Sequence, residues 1–341
     1  MAHMEMKAHE RFRAAAMGRE FDRLPLIEWA GWWDKTVGGW CAQNPALAGQ
    51  SLYSHYGLDH IWQVWFPLRT PDAPVPAYHG APLATNMSQY QKLRPYLFPE
   101  ARLSPEYLKR AKEYHEQGDG IVWFSLEGFF WFPRSVFGIE PHLYAFYDEP
   151  ELYHTICADL LAWQKRAVEI CLNSFDFDFM TFAEDMSYNN GPMISKEQFD
   201  AFIAPYYRQI LPGLKNAGVL TVVDSDGDIT LATDWFYETG VQGMLPLERQ
   251  AGVDVGSYID KHPDMCYIGH FDKMVMHKGR EAIQAEFDRL FGSAVRGRLI
   301  PSVDHQTPPA VTYSDYLIYM ELYRKFAADV AKTRMKRGKP V

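Results

Sequence analysis

The run Val219-Leu220-Thr221-Val222-Val223-Asp224-Ser225-Asp226-Gly227-Asp228 decides the fold class. Its first half is apolar and rich in β-branched residues, which suits a strand covered on both faces, as in a parallel sheet. It breaks off in carboxylates and a glycine, and a helix-like segment, Ile229 to Thr239, follows. A buried strand, a short polar loop and a helix make the repeating unit of α/β folds.

The same grammar recurs on both sides of that run. Strand-like runs are expected at Leu24 to Trp29, His60 to Phe66, Gly120 to Leu126, Phe177 to Ala183, Val219 to Asp224, Val241 to Leu247, Met265 to Gly269 and Leu299 to Val303. Helix-like segments lie between them at Pro105 to Gln117, Glu149 to Asn173, Lys196 to Asn216, Val255 to His262, Lys278 to Leu290 and Ser314 to Lys332. Ser104 and Ser195 each precede an early acidic residue, a helix start signal. Eight such units in 341 residues predict a single (β/α)8 TIM-type barrel, a fold that spans about 250 to over 400 residues. Residues 67–99 carry seven prolines and are expected to form a flap after the second strand.

Composition narrows the function. Hydrophobic content of 47% and charged content of 23% are those of an ordinary globular protein. A net charge of −9 argues against a cation-driven grip on nucleic acid or anionic lipid. No run approaches about 18 apolar residues, so no membrane span is expected, and the chain reads as cytoplasmic. Met1-Ala2-His3-Met4 resembles a cloning remnant, and residues 1–8 are expected to be disordered or of that origin. Cys41, Cys157, Cys171 and Cys266 are scattered and read as reduced thiols. Aromatic residues make up 15%, with ten tryptophans, which fits an aromatic-lined pocket for a small molecule or a large core. The aromatic-rich flap is compatible with a homodimer.

In TIM-type barrels the chemistry gathers at the C-terminal ends of the strands. Here those ends carry Glu28, Glu127, Glu184-Asp185, Asp224-Ser225-Asp226, Glu248-Arg249, His270 with Asp272, and Asp304-His305. Crowded carboxylates raise one another's pKa, so such a rim calls for a cation or for protons. Asp224, Asp226, Glu248, His270 and His305 are candidate ligands of a divalent metal. Helix capping explains single acids at such places equally well, and the remaining histidines suit core or surface. Arg134 and Arg249 are the nearest cations, able to hold a substrate carboxylate or phosphate or to neutralise the acids.

Several motifs together resemble the uroporphyrinogen decarboxylase superfamily, which includes the zinc-dependent cobamide methyltransferases. They are Glu10-Arg11-Phe12 with Asp22-Arg23-Leu24-Pro25, Asn190-Gly191-Pro192-Met193-Ile194-Ser195, Asp226-Gly227-Asp228, Pro246-Leu247-Glu248, Gly269-His270-Phe271-Asp272, and His305 before Thr307-Pro308-Pro309. True decarboxylases of the group carry an arginine-rich turn after the first strand, where this chain reads Ala30-Gly31-Trp32-Trp33-Asp34. Carboxylates of a tetrapyrrole would meet tryptophans and an acid there. The methyltransferases carry His-x-Cys after the fifth strand and Cys after the eighth, where this chain has Asp224-Ser225-Asp226 and Asp304-His305. The resemblance then implies a metal-dependent methyltransferase-like enzyme moving a methyl group between a small donor, a methoxylated aromatic or an amine, and a corrinoid protein. The metal would be zinc, although the loss of both thiolates favours oxygen-rich coordination. Glu184 would act as general acid or as orienter of a ligand. Trp29, Trp32, Trp33, Trp123 and Trp131 would line the pocket. A rival expectation is a metal-free decarboxylase or lyase with Asp34 or Glu28 as proton donor and Arg134 or Arg249 as carboxylate clamp. A third is a ligand-binding barrel without chemistry.

Overall fold

A computed structural model describes residues 5–117 and 120–337. It contains strands β1 (His60–Trp65), β2 (Gly120–Glu127), β3 (Phe179–Ala183), β4 (Ser187–Tyr188), β5 (Gly191–Pro192), β6 (Leu220–Asp224), β7 (Gly243–Leu245), β8 (Cys266–Phe271) and β9 (Arg298–Val303). The described residues divide into two compact units, one drawn from 1–62, 113–122 and 243–341, the other from 63–112 and 123–242.

In the second of these units β2, β3 and β6 run parallel, with Glu127 level with Ala183 and Ala183 level with Asp224. Their C-terminal ends therefore stop on one line. Phe124, Phe179, Phe182, Val222 and Val223 are fully buried, as expected of parallel strands covered on both faces. The helix Pro150–Ser174 presents Leu152, Ile156 and Leu160 to this core. The helix that begins at Lys196 starts on a capping box between Ser195 and Gln198, passes through a π-helical turn at Phe199–Ile203 and continues as Ala204–Asn216. The proline-rich segment 67–99 contains the helix Met87–Leu93 and packs closely: Tyr90 and Leu93 are buried, and the Tyr90 hydroxyl donates to Asp159 at 2.9 Å.

In the other unit β7, β8 and β9 are parallel, with Ile268 level with Ile300 and His270 with Ser302. The helices Arg280–Arg296 and Tyr313–Arg337 pack through Phe287 against Tyr323 and Phe326. The expected first strand, Leu24 to Trp29, is not one. Its backbone is satisfied piecemeal, Leu24 N–H by Ala327 O, Leu26 N–H by the Asp59 carboxylate and Trp29 N–H by Ser302 Oγ, and Pro25 has no N–H to give a ladder.

The Glu10-Arg11-Phe12 and Asp22-Arg23 motifs form a buried ion network in this unit. Arg11, 2% exposed, reaches Asp22 at 2.7 Å and Asp59 at 3.2 Å, and Arg23 reaches Asp59 at 2.7 Å. Burial opposes ionisation of Asp22, but Arg11 and the Met6 and Arg23 N–H groups outweigh it and hold the carboxyl at about 2. Met6 is tied down by this network and Ala8 is buried, whereas residues 1–4 of the predicted disordered stretch lie outside the described residues. No described helix is long and apolar enough to cross a membrane. Cys41, Cys157, Cys171 and Cys266 are free thiols.

Candidate active site

Asp185, Asp224 and Asp226 each turn one carboxylate oxygen into a group whose members lie within 4.8 Å of one another. All three side chains are half-buried. The sheet register puts Asp224 at the end of β6 beside the end of β3, and Asp185 follows two residues after β3. Backbone bonds lock the two ends: Glu184 N–H and Asp185 N–H both donate to Asp224 O, and Asp226 N–H donates to Asp185 Oδ1. Asp185 sits at φ +36, a backbone region that side-chain-bearing residues seldom hold without support. Burial, followed by the charges of Asp185 and Asp226, raises the Asp224 carboxyl far above the usual carboxylate range.

The turn after β6 explains the Asp226-Gly227-Asp228 motif. Gly227 has φ +82, and a Cβ there would lie 2.8 Å from the Tyr188 backbone, so only glycine fits. Asp226 then joins the acidic group, while Asp228 turns away and accepts from the Thr230 N–H at 3.0 Å at the start of the next helix. One acid of the motif serves the site and the other serves the helix.

Glu184, predicted as general acid or orienter, is fully buried. One carboxylate oxygen accepts from the Phe129 N–H at 3.2 Å and the Tyr207 hydroxyl at 2.9 Å, the other from the Phe130 N–H at 2.9 Å and the Trp131 N–H at 3.1 Å. Burial pushes its carboxyl up to about 8 against these four donors. Among the described residues its hydrogen-bond partners are all donors, so these bonds favour the ionised form while burial opposes it. These bonds tie the loop before helix Trp131–Phe137 to the strand end that carries Asp185.

Glu127 ends β2 in the same unit. Burial raises its carboxyl to about 7, with Arg69 opposing and Asp185 reinforcing the shift. Its Oε2 is buried and has no hydrogen-bond partner among the described residues. It faces a cavity of about 400 Å³ shared with Phe66, Arg69, Phe132 and Ser135. Trp131 and Arg134 line a neighbouring cavity, the Arg134 guanidinium 4.8 Å above the Trp131 ring. Trp123, also predicted to line a pocket, is instead core: it is 2% exposed and meets Phe179 edge-on at 4.3 Å.

The other predicted site residues belong to the first unit. His270, predicted as a ligand, has no lone pair to offer. Its Nδ1 lies 2.9 Å from Leu247 O and must donate to it, and Nε2 then accepts from the Val255 N–H at 3.3 Å and from Arg289 at 3.1 Å. Burial, with Arg289 next, pushes this imidazole down to about 4 and keeps it neutral. Glu248 pairs with Lys273 at 3.0 Å, and Lys273 also reaches Asp304 at 3.5 Å. Asp304, fully buried, accepts from the Arg249 N–H, and burial lifts its carboxyl to about 6 against the pull of Lys273. His305 stands edge-on to Trp29 at 6.2 Å. The Arg249 side chain bonds Val253 O in its own loop at 3.0 Å.

Glu28 is enclosed, accepting from the Tyr316 and Ser302 hydroxyls and the Val303 N–H, and burial raises it to about 7. Asp34 is exposed in the first turn of helix Asp34–Gln43, where the helix dipole accounts for it. Trp29 donates to Val303 O, Trp32 packs edge-on among Trp40, Tyr53 and Tyr316, and Trp33 is 44% exposed.

Asp185 and Glu127 stand at strand ends in the sequence as Asp224 does, but nothing local in the sequence assigns them a role. Arg69 carried no signal, since it sits in the aperiodic segment 67–99.

Parallel strands with helical crossovers and carboxylates gathered at the strand ends define a protein of the α/β class. The model of the uroporphyrinogen decarboxylase (URO-D) family matches residues 135–326, more than half of the sequence, and the chain belongs to that family of enzymes. No curated protein matches. Among solved structures, a methyltransferase from Methanosarcina mazei is similar with TM-score 0.60 at 16% identity, covering 94% of this chain and 99% of that one. That likeness shows a shared fold and agrees with the α/β, TIM-type class expected from the alternation. A B12-independent methionine synthase from Shewanella sp. W3-18-1, in complex with selenomethionine, gives TM-score 0.44 at 13% identity over 70% of each chain.

Proposed function

We propose that this chain is a methyltransferase-like enzyme in which Asp185, Asp224 and Asp226 hold a divalent cation and a methyl group passes between a small donor and a corrinoid protein. The observation that carries the reading is the approach of three carboxylate oxygens to within 4.8 Å at the strand ends. Three like charges at that spacing repel strongly unless a cation or a proton is shared among them. The donor set is all oxygen, so it fits a hard ion such as Mg²⁺ or Mn²⁺ better than thiolate-bound zinc. A cation bound there would supply Lewis acidity toward the donor's heteroatom.

The protein's own part is positional and acid–base. Glu184 fixes the loop 129–131 and, through its neighbour Asp185, the register of the acidic group. Glu127, whose carboxyl burial raises to about 7 and which lines the cavity beside Arg69, would give a proton to a departing heteroatom. Methyl transfer and the corrinoid partner come from the family resemblance, with the methyltransferase from Methanosarcina mazei as fold-level analogy.

The test is corrinoid spectroscopy on the purified chain with a corrinoid protein, candidate methyl donors and Mn²⁺ or Mg²⁺. Metal-dependent methylation of the cobalt, abolished in Asp226→Asn, is expected. Carbon dioxide release from a carboxylated substrate with neither metal nor corrinoid would overturn the reading in favour of decarboxylation.

A further inference from the structure

We infer that the cavity walled by Arg69, Trp131 and Arg134 binds a small planar carboxylate. The cavity holds about 220 Å³ between these residues, Gly80, Ser135 and Ile139. That lies below the ~300 Å³ at which drug-sized pockets begin, which suits a single ring with one charged group.

Its walls are fixed by close backbone approach. A Cβ on Gly138 would lie 2.6 Å from Gly80 O, and one on Gly80 would lie 2.6 Å from the Ile139 side chain. Both glycines sit at φ +81, and the Ile139 N–H closes the contact by donating to Gly80 O at 3.0 Å. One side of the space is therefore fixed by the backbone.

Two guanidiniums enter this space with little to balance them. Arg134 is half-buried, stacks on Trp131 and pairs with no acid among the described residues; its charge, after burial, helps to depress His142. Stacking uses the face of a guanidinium and leaves its in-plane N–H edge for a bidentate carboxylate. Arg69 spends one nitrogen on Ser135 O and Oγ, both at 3.0 Å, and the acid that acts on it is Glu127. Arg69 and Ser135 also line the cavity that reaches Glu127, so the two spaces adjoin. A half-buried cation without a counterion is costly, and a carboxylate ligand relieves the cost at Arg134. The apolar walls of Trp131 and Ile139 favour an organic anion over inorganic phosphate.

The probe is benzoate, with benzamide as its neutral isostere, titrated into the full chain by calorimetry or saturation-transfer NMR. Benzoate is expected to bind at least ten-fold more tightly than benzamide. Arg134→Gln should lose that preference while keeping the wild-type melting temperature, and Arg69→Lys should weaken benzoate with the fold retained. Asp224→Asn should bind benzoate as the wild type does, so this site and the proposed cation site stand or fall separately. Equal binding of benzoate and benzamide, unchanged binding in Arg134→Gln, or displacement of benzoate by equimolar inorganic phosphate would overturn the assignment.

Discussion

The carboxylate of Glu184 occupies the space that a side chain on Gly128 would need: a Cβ built on Gly128 falls 1.7 Å from Glu184 Oε2. Glycine at 128 is thus what admits the buried carboxylate to the N–H groups of Phe129, Phe130 and Trp131. Gly128→Ala should expel it and strand those donors, costing on the order of 3 kcal/mol or more. Tyr207→Phe removes one donor of four and should cost about 1 to 2 kcal/mol. Urea denaturation of both variants checks the order, and a Gly128→Ala protein as stable as wild type would refute the anchoring role.

Glu127 gives stability an uncommon dependence on pH. Its carboxyl lies near 7 in the folded chain against an ordinary value of 4.5. Between those values the folded state keeps a proton that the unfolded state has lost, so stability declines as pH rises from 4.5 through 7. Glu28, Glu184 and Asp304 are raised in the same sense, so Glu127→Gln removes only the share of Glu127, leaving a shallower decline and a protein more stable at pH 8 by up to roughly 3 kcal/mol. If Glu127 supplies a proton in turnover, wild-type rate should fall above pH 7 and the variant should lose that limb. Parallel melts at pH 5 and pH 8 and a pH–rate profile make the measurement.

The strand ends were legible because an apolar run that stops at an acid can be seen in one dimension. Which way each acid then turns could not be seen. Glu184 and Asp185 are adjacent, yet one enters the core under Trp131 and the other, at φ +36, joins the carboxylate group. His270 stands next to the last residue of β8, where a ligand could sit, but its ring meets Leu247 O, Val255 N–H and Arg289. Residues 24–29 read as a strand, and the side chains of Asp59 and Ser302, distant in sequence, replace the ladder. Arg69 meets Ser135 through a loop without periodicity, so nothing local announced it.

For the acidic group, the sign of a mutation should reverse with metal. In EDTA, Asp224→Asn relieves burial of a charge beside Asp185 and Asp226 and should raise the melting temperature. With Mn²⁺ at a hundred times its dissociation constant, the wild type should gain about 2.7 kcal/mol while the variant gains little. Differential scanning calorimetry with and without Mn²⁺ decides it, and a wild type indifferent to Mg²⁺ and Mn²⁺ alike would remove the cation from the proposal.

His270 supplies the complementary control. If its ring is a structural bridge from Leu247 O to Val255 and Arg289, then His270→Gln should lower stability by about 1 to 3 kcal/mol, because a buried donor and acceptor lose their partners. Bound metal, measured by plasma emission on the dialysed protein, should stay at the wild-type ratio. A ligand behaves otherwise: its loss empties the site. Loss of metal in His270→Gln with the fold retained would overturn the structural role of this side chain.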